Sequence, residues 1–294
     1  MEASLLTNLL LPLALGIVML GLGLSLTAED FARVVRFPRA VFVGLFVQTV
    51  VLTAVAFGLA VGFGLPPELA VGLMLLAASP GGATANVYSH LAQGDVALNI
   101  TLTAVNSVLA LAWLPLVVNW SLEHFLGAGQ YVPPPTRKIV EVAALIVVPV
   151  VVGMILRARA PRLAERAEKP IRIFAILFLA ALVAGAVAAE WDRLGEFLAA
   201  VGLACLAFNL LSMAAGYFAP LALRLPKRQA IAIAMEIGIH NGTLAIYVAL
   251  NVLGNAAMSV PAAVYSLIMF VTAAVFAVVV QRNAARAPIG RPSG

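Results

Sequence analysis

Hydrophobic positions in this chain run in blocks rather than stripes. Apolar stretches of about 20 residues, enough for a helix to cross a hydrocarbon layer about 30 Å thick, alternate with short loops bearing charges, Pro or Gly. The blocks predict nine spans: 5–27, 39–63, 67–92, 95–119, 138–157, 171–190, 197–220, 229–253 and 259–281. With no water in the bilayer to satisfy backbone groups, such segments must be helical. The expected fold class is therefore an all-α membrane protein with the lipid bilayer as its main solvent.

Composition sharpens this reading. Of 294 residues, 63% are hydrophobic and 11% charged, against about 25% charged in a soluble domain, and little chain remains for one. Met1-Glu2-Ala3-Ser4 carries no Lys or Arg before the first apolar run, so a secretory signal with a positive leading segment is not expected. The single cysteine, Cys205, excludes an intrachain disulfide and any CxxC site. A sequence pI of 9.8 does not indicate nucleic acid, because the basic residues punctuate apolar segments instead of gathering on a soluble face. All but three of the 18 Lys and Arg, the exceptions being Arg137, Lys138 and Arg193, fall in one alternating set of loops and the C-terminal tail. The positive-inside rule then predicts an inner (plasma) membrane protein with its N-terminus outside and its C-terminus cytoplasmic.

Two blocks are interrupted. The third contains Ser79-Pro80-Gly81-Gly82-Ala83-Thr84-Ala85-Asn86, and the eighth contains Glu236-Ile237-Gly238-Ile239-His240-Asn241-Gly242-Thr243. Pro removes a helical hydrogen bond and adjacent Gly loosens the helix. Backbone groups freed at membrane depth survive only inside protein or beside a water-filled cavity. Interruptions at matching places in two halves point to a transporter's midplane site. Spans one to four match spans six to nine in opposite orientation, with Gln48 before the first break and Asn209 before the second, so an inverted repeat is expected.

Glu236 is the one acidic residue deep within a predicted span, and an ionisable group there marks function by default. Asn99, Thr103, Asn106 and Ser107 share one face of the fourth span. Their amides and hydroxyls, with Glu236 and the carbonyls of the broken helices, are the oxygen ligands that a hard cation such as Na⁺ requires. His90, His124 and His240 lie on separate segments without zinc spacing. No hydrolase triad or phosphate loop is found either, so no enzyme is expected. Half-helices beginning near Gly82–Thr84 and Asn241–Thr243 would aim free N–H groups and a positive dipole end at the crossover. This makes Gly82, Ala83, Thr84, Asn209, Asn241, Gly242 and Thr243 candidate contacts for a small organic anion.

Pro80-Gly81-Gly82 with Ala85-Asn86, Gly94-Asp95-Val96-Ala97-Leu98, Glu236-Ile237-Gly238-Ile239-His240-Asn241, and Met19-Leu20-Gly21-Leu22-Gly23-Leu24 in the first span together resemble the bile acid:sodium symporter family in its bacterial, nine-span form. The resemblance covers nearly the whole chain. It implies a panel domain (1–38 and 120–196), a core domain (39–119 and 197–281) in which the broken helices cross, and a basic tail at 282–294. It also implies two Na⁺ sites. Asn86, Asn99, Thr103 and Glu236 would form the first; Gln48, Glu236, the carbonyls of Ile237 and Ile239, and His240 the second. Three positions depart from the family pattern: Ala85 and Asn99 stand where Ser is usual, and His240 where Gln is usual.

The expected function is Na⁺-coupled symport into the cell of a small organic anion that is bile acid-like, pantoate-like or a keto acid. No obligate protein partner is evident. Two alternatives are a Na⁺/H⁺ exchanger on a related inverted-repeat fold and a membrane receptor that binds its ligand without moving it.

Overall fold

The computed structural model describes residues 10–82, 84–127, 136–189 and 194–285. Among them, regular structure is helical: α1 Leu11–Leu24, α2 Ala28–Arg36, α3 Pro38–Gly62, α4 Pro67–Ala78, α5 Thr84–Leu91, α6 Val96–Leu126, α7 Thr136–Arg159, α8 Pro161–Ala189, α9 Leu194–Ala222, α10 Lys227–Gly238, α11 Gly242–Val252 and α12 Val260–Ala285. Four of the described spans are singly long and apolar enough to cross a membrane: Pro38–Gly62, Val96–Leu126, Val201–Ala222 and Ala257–Arg282. The bent pair α1–α2, with a 56° angle between its halves, makes a fifth.

The difference from nine uninterrupted blocks has physical causes. The third and eighth blocks are each split in two, leaving Pro67–Ala78 and Gly242–Val252 as short apolar helices. The fifth and sixth blocks lie almost wholly within α7 and α8. The first block stops at Leu24. Thr27 then starts α2, with the Asp30 carboxylate accepting hydrogen bonds from both the Thr27 backbone N–H and its hydroxyl at 2.7 Å, a reciprocal cap that opens a new helix at an angle.

Local chemistry sets the other boundaries. Pro38, Pro67 and Pro161 stand at first helical positions, where a missing N–H costs nothing. The Asp95 carboxylate caps α6 through the Leu98 N–H at 3.1 Å, and the Asn241 amide oxygen caps α11 through the Leu244 N–H at 3.0 Å. Single π turns interrupt α3 at Val47–Val51 and close α11 at Val248–Val252, the kind of local rewinding that recurs at functional sites.

Two groupings emerge from the packing. Helix α1 packs mainly on α7, with α8 beside it, while α3, α4, α5, α6, α9, α10 and α12 pack around the two breaks. Contact between α1 and α7 is close enough that a Cβ at Gly23 would sit 2.2 Å from the Val150 carbonyl oxygen, and one at Gly153 would sit 2.5 Å from that of Leu20. Small residues permit this approach, and in lipid such packing replaces the hydrophobic drive. Gly23→Ala and Gly153→Ala are each expected to lower stability by about 1–3 kcal/mol. Gly58→Ala, at an exposed glycine whose Cβ would meet nothing, should be neutral or better; melting temperatures of the purified proteins in detergent compare the three.

Candidate functional site

The breaks meet at the centre of the larger group. Helix α4 ends at Ala78, and Ser79 is extended at φ −72°, ψ 141°, the conformation imposed on a residue preceding Pro. Helix α10 ends at Gly238, and Ile239 is likewise extended at φ −116°, ψ 91°. These two short strands run antiparallel, with Gly81 opposite His240. The Gly82 N–H donates to the Ile239 oxygen at 2.8 Å, and the Asn241 N–H to the Pro80 oxygen at 2.9 Å. Each interruption thus satisfies backbone groups that the other exposes, which is what allows both to exist away from water.

Side chains complete this accounting. Gln48, on the π turn of α3, donates from Nε2 to the Ser79 oxygen at 3.2 Å, and Asn209 of α9 donates from Nδ2 to the Gly238 oxygen at 3.0 Å. The Tyr265 hydroxyl is a second donor to the Gly238 oxygen at 2.9 Å. His240 places Nδ1 3.1 Å from the Ser79 oxygen. A carbonyl only accepts, so Nδ1 carries the proton. The His240 ring sits against Phe208 and Tyr265, at centroid distances of 5.7 and 5.4 Å.

Glu236 is buried in the last turn of α10, held against the first break. A Cβ on Gly81 would lie 2.2 Å from its Oε1, so only glycine fits there. Thr103 donates through Oγ1 to Glu236 Oε2 at 2.6 Å. Asn99, one turn earlier on α6, uses Nδ2 to reach the Ala232 oxygen at 2.7 Å. Three buried side-chain oxygens, Glu236 Oε1, Asn86 Oδ1 and Asn99 Oδ1, have no hydrogen-bond partner among the described residues, and Gln48 Oε1 also lacks one. Buried acceptors without donors are costly unless something positive or a donor occupies the space between them. They lie on α3, α5, α6 and α10; of these, α5, α6 and α10 pack on one another, and α3 contacts both α6 and α10.

Beside the breaks lies a cavity of about 940 Å³. Gly82, Thr84, Asn86, Asn241, Gly242 and Thr243 line it, together with apolar residues of α1, α8 and α12. Of the candidate substrate contacts, Ala83 lies outside the described residues, and Asn209 stands apart from the cavity. It is fully buried and absent from the cavity lining, with its Nδ2 committed to the Gly238 oxygen and, at 2.9 Å, to the Tyr265 hydroxyl. Ser107 turns back onto the Thr103 carbonyl at 2.7 Å, one turn beyond the Thr103–Glu236 contact on the same face of α6. Tyr265 escaped the sequence reading, although it is a hydroxyl-bearing residue in an otherwise apolar stretch of α12.

Comparison with known proteins accords with this geometry. A family model described as the Sodium Bile acid symporter family matches residues 12–197. The chain belongs to that family. It is therefore a multi-pass α-helical membrane protein of a transporter family. It is similar to YocS, an uncharacterized sodium-dependent transporter of Bacillus subtilis (strain 168), at 29% identity over 231 residues, covering 78% of this chain and 70% of the relative. A probable sodium/metabolite cotransporter of Oryza sativa subsp. japonica, chloroplastic BASS2, is 28% identical over 260 residues, 87% of this chain and 60% of that protein. The ileal sodium/bile acid cotransporter of Oryctolagus cuniculus is 28% identical over 162 residues, 55% of this chain and 46% of its own. The chain thus spans less than two thirds of the rice and rabbit proteins.

Because the Gly238 oxygen accepts two donors, the site makes a non-additive prediction. Tyr265→Phe or Asn209→Leu alone should cost about 1 kcal/mol, since one donor remains. The double variant leaves a buried carbonyl unmet and should lose more than the sum, read as a melting-temperature double-mutant cycle.

Proposed function

We propose that the protein is a secondary active transporter that couples inward movement of Na⁺ to uptake of an organic anion. The observation that carries this reading is the cluster of unpartnered buried oxygens at the broken helices. Glu236 Oε1, Asn86 Oδ1 and Asn99 Oδ1, with Thr103 Oγ1 against the same carboxylate, are the hard donors that suit Na⁺ and leave a softer transition metal poorly served. The names of the relatives support the same ion.

In this reading the first Na⁺ set comprises Asn86, Asn99, Thr103 and Glu236. The second comprises Gln48 Oε1, Glu236 and the carbonyls of Ile237 and Ile239, with His240 serving differently from the family's usual Gln. A ring N–H committed to the Ser79 oxygen contributes no oxygen to a cation, and it holds the first break in place of one. The anion is met where α5 and α11 begin, at Gly82, Ala83, Thr84, Asn241, Gly242 and Thr243, through the side chains of Thr84, Asn241 and Thr243, since the Gly82, Asn241 and Gly242 N–H groups already donate to the Ile239, Pro80 and His240 oxygens. A bound Na⁺ beside Glu236 neutralises the carboxylate, and the helix N-termini then leave a net positive end for the substrate. A largely apolar cavity of about 940 Å³ favours an organic substrate over bare exchange of protons for Na⁺.

The wider organisation follows the same proposal. Helices α1, α7 and α8 act as a panel, and the remainder as a core with inverted repeats. Spans run nine times across the membrane with the basic loops cytoplasmic, and rocking of core against panel exposes the cavity alternately to either side.

The test is Na⁺-gradient uptake of radiolabelled carboxylates in proteoliposomes, together with Na⁺-induced thermal stabilisation of the detergent-solubilised protein. Glu236→Gln is expected to abolish both while the protein stays folded, and normal transport by that variant would refute the ion assignment. Asn99→Ala should raise half-saturating Na⁺ by about tenfold or more, the value of one lost ligand to a charged group. His240→Gln, which supplies an amide oxygen, is expected to lower half-saturating Na⁺; an unchanged value would remove His240 from the ion path.

A further inference from the structure

The cavity does not end at the broken helices. It extends along α8, where its lining includes Glu168, Arg172, Ile171, Ile176, Leu179 and Val183, and it also takes in Arg157 from the last turn of α7. Leu179 marks the level of the break, because a Cβ on Gly242 would lie 3.6 Å from its Cδ1. Arg172 precedes Leu179 by seven residues. Two turns of helix return a side chain to the same face and separate the residues by about 10 Å along the axis. The cavity is thus a slot with the helix N-termini at one level, Arg172 about 10 Å further along α8, and Arg157 of α7 on the same lining, joined by apolar wall.

The two arginines are not equivalent. Arg172 is ion-paired with Glu168 one turn before it. Arg157 has its nearest described carboxylate, Glu165, at 3.9 Å and largely exposed, beyond hydrogen-bond reach. Its Nη1 is buried without a hydrogen-bond partner among the described residues. Of the groups that line this end of the slot, two are guanidinium groups and one is a carboxylate, while Glu165 stands outside the lining on the solvent side. A guanidinium fork is the group of choice for carboxylate, sulfate or phosphate oxygens.

We propose that Arg157 forms a second anion subsite in the substrate cavity, and that the protein prefers elongated dianions: molecules with one anionic group for the broken-helix end, an apolar middle, and a second anionic group for Arg157. This rests on reading the cavity as the substrate path, and it narrows the substrate from organic anions in general to two-headed ones. An anionic lipid headgroup offers the same chemistry to a basic residue near a membrane surface. The inward position of Arg157, lining the slot with one nitrogen buried, assigns it to a soluble ligand.

The experiment measures equilibrium binding of radiolabelled decanedioate, decanoate and succinate to the purified protein in nanodiscs of neutral phosphatidylcholine, at saturating Na⁺ and without Na⁺. Wild type is expected to bind decanedioate about tenfold or more tightly than decanoate, the value of one charge-assisted contact, and to bind the short succinate weakly. Arg157→Gln should erase the preference by weakening decanedioate while leaving decanoate unchanged. Arg157→Lys, which keeps the charge but not the fork, should retain part of it and guards against a folding defect in the Gln variant. Equal affinities in wild type, an undiminished preference in Arg157→Gln, or no decanedioate binding at millimolar concentration would each overturn the proposal. So would a preference that disappears when phosphatidylglycerol replaces part of the neutral lipid, since the subsite would then belong to a headgroup. Dependence of binding on Na⁺ is read separately: Na⁺-independent binding with the dianion preference intact would count against coupled transport and leave the second subsite standing.

Discussion

Everything at the centre of this protein depends on two backbone hydrogen bonds between interrupted helices, Gly82 N–H to Ile239 O and Asn241 N–H to Pro80 O. A membrane helix can be broken only if its freed amides and carbonyls find partners, because lipid provides none. Neither break can meet that requirement alone. Placed antiparallel, each supplies what the other lacks, so the two irregular segments exist only as a pair. The remaining carbonyls are met by Gln48, Asn209, Tyr265 and the His240 ring, side chains that lie far apart in sequence.

That arrangement leaves a particular residue of unmet chemistry. Donors go to the carbonyls, and among the buried atoms left without partners in the described residues are oxygens of Glu236, Asn86, Asn99 and Gln48. A buried set of acceptors without donors is an environment that favours a cation, and these oxygens come from four helices that pack together. Glycine at position 81 is part of the same design, since a methyl group there would occupy the space of the Glu236 carboxylate. Cation chemistry and the geometry of the break are therefore not separable. Movement of one helix against another would change these oxygens and the cavity lining together, which is what the proposed coupling requires.

Much of this could be read from the chain. Block hydropathy defined the class of fold because bilayer thickness imposes one length on every span. Pro80, Gly81 and Gly82 disclosed the first break, because Pro and Gly act locally, through the missing N–H and the missing Cβ. Glu236 was exposed as a candidate by its depth alone, and the spacing of Asn99 and Thr103 put both on one helical face.

What sequence could not supply were the relations among helices. Asn209 carried the same signal as a substrate contact, a lone amide in an apolar span, yet its neighbours turn it into a brace for the Gly238 carbonyl. His240 sits beside Glu236, Ile237 and Ile239 in sequence, but its Nδ1–H is taken up by the Ser79 oxygen and its ring lies against two aromatic side chains. Arg157 and Arg172 read as ordinary basic residues of a cytoplasmic loop until the packing of α7 and α8 placed them on the wall of the cavity. Periodicity, propensity and charge counts act over a few residues along one element, and so the sequence by itself determined the membrane helices, the places where two of them break, and the single deep carboxylate. Which groups face one another across the breaks is decided by contacts between residues more than a hundred positions apart, such as Thr103 with Glu236 and Ser79 with His240, and only the tertiary structure brings these together.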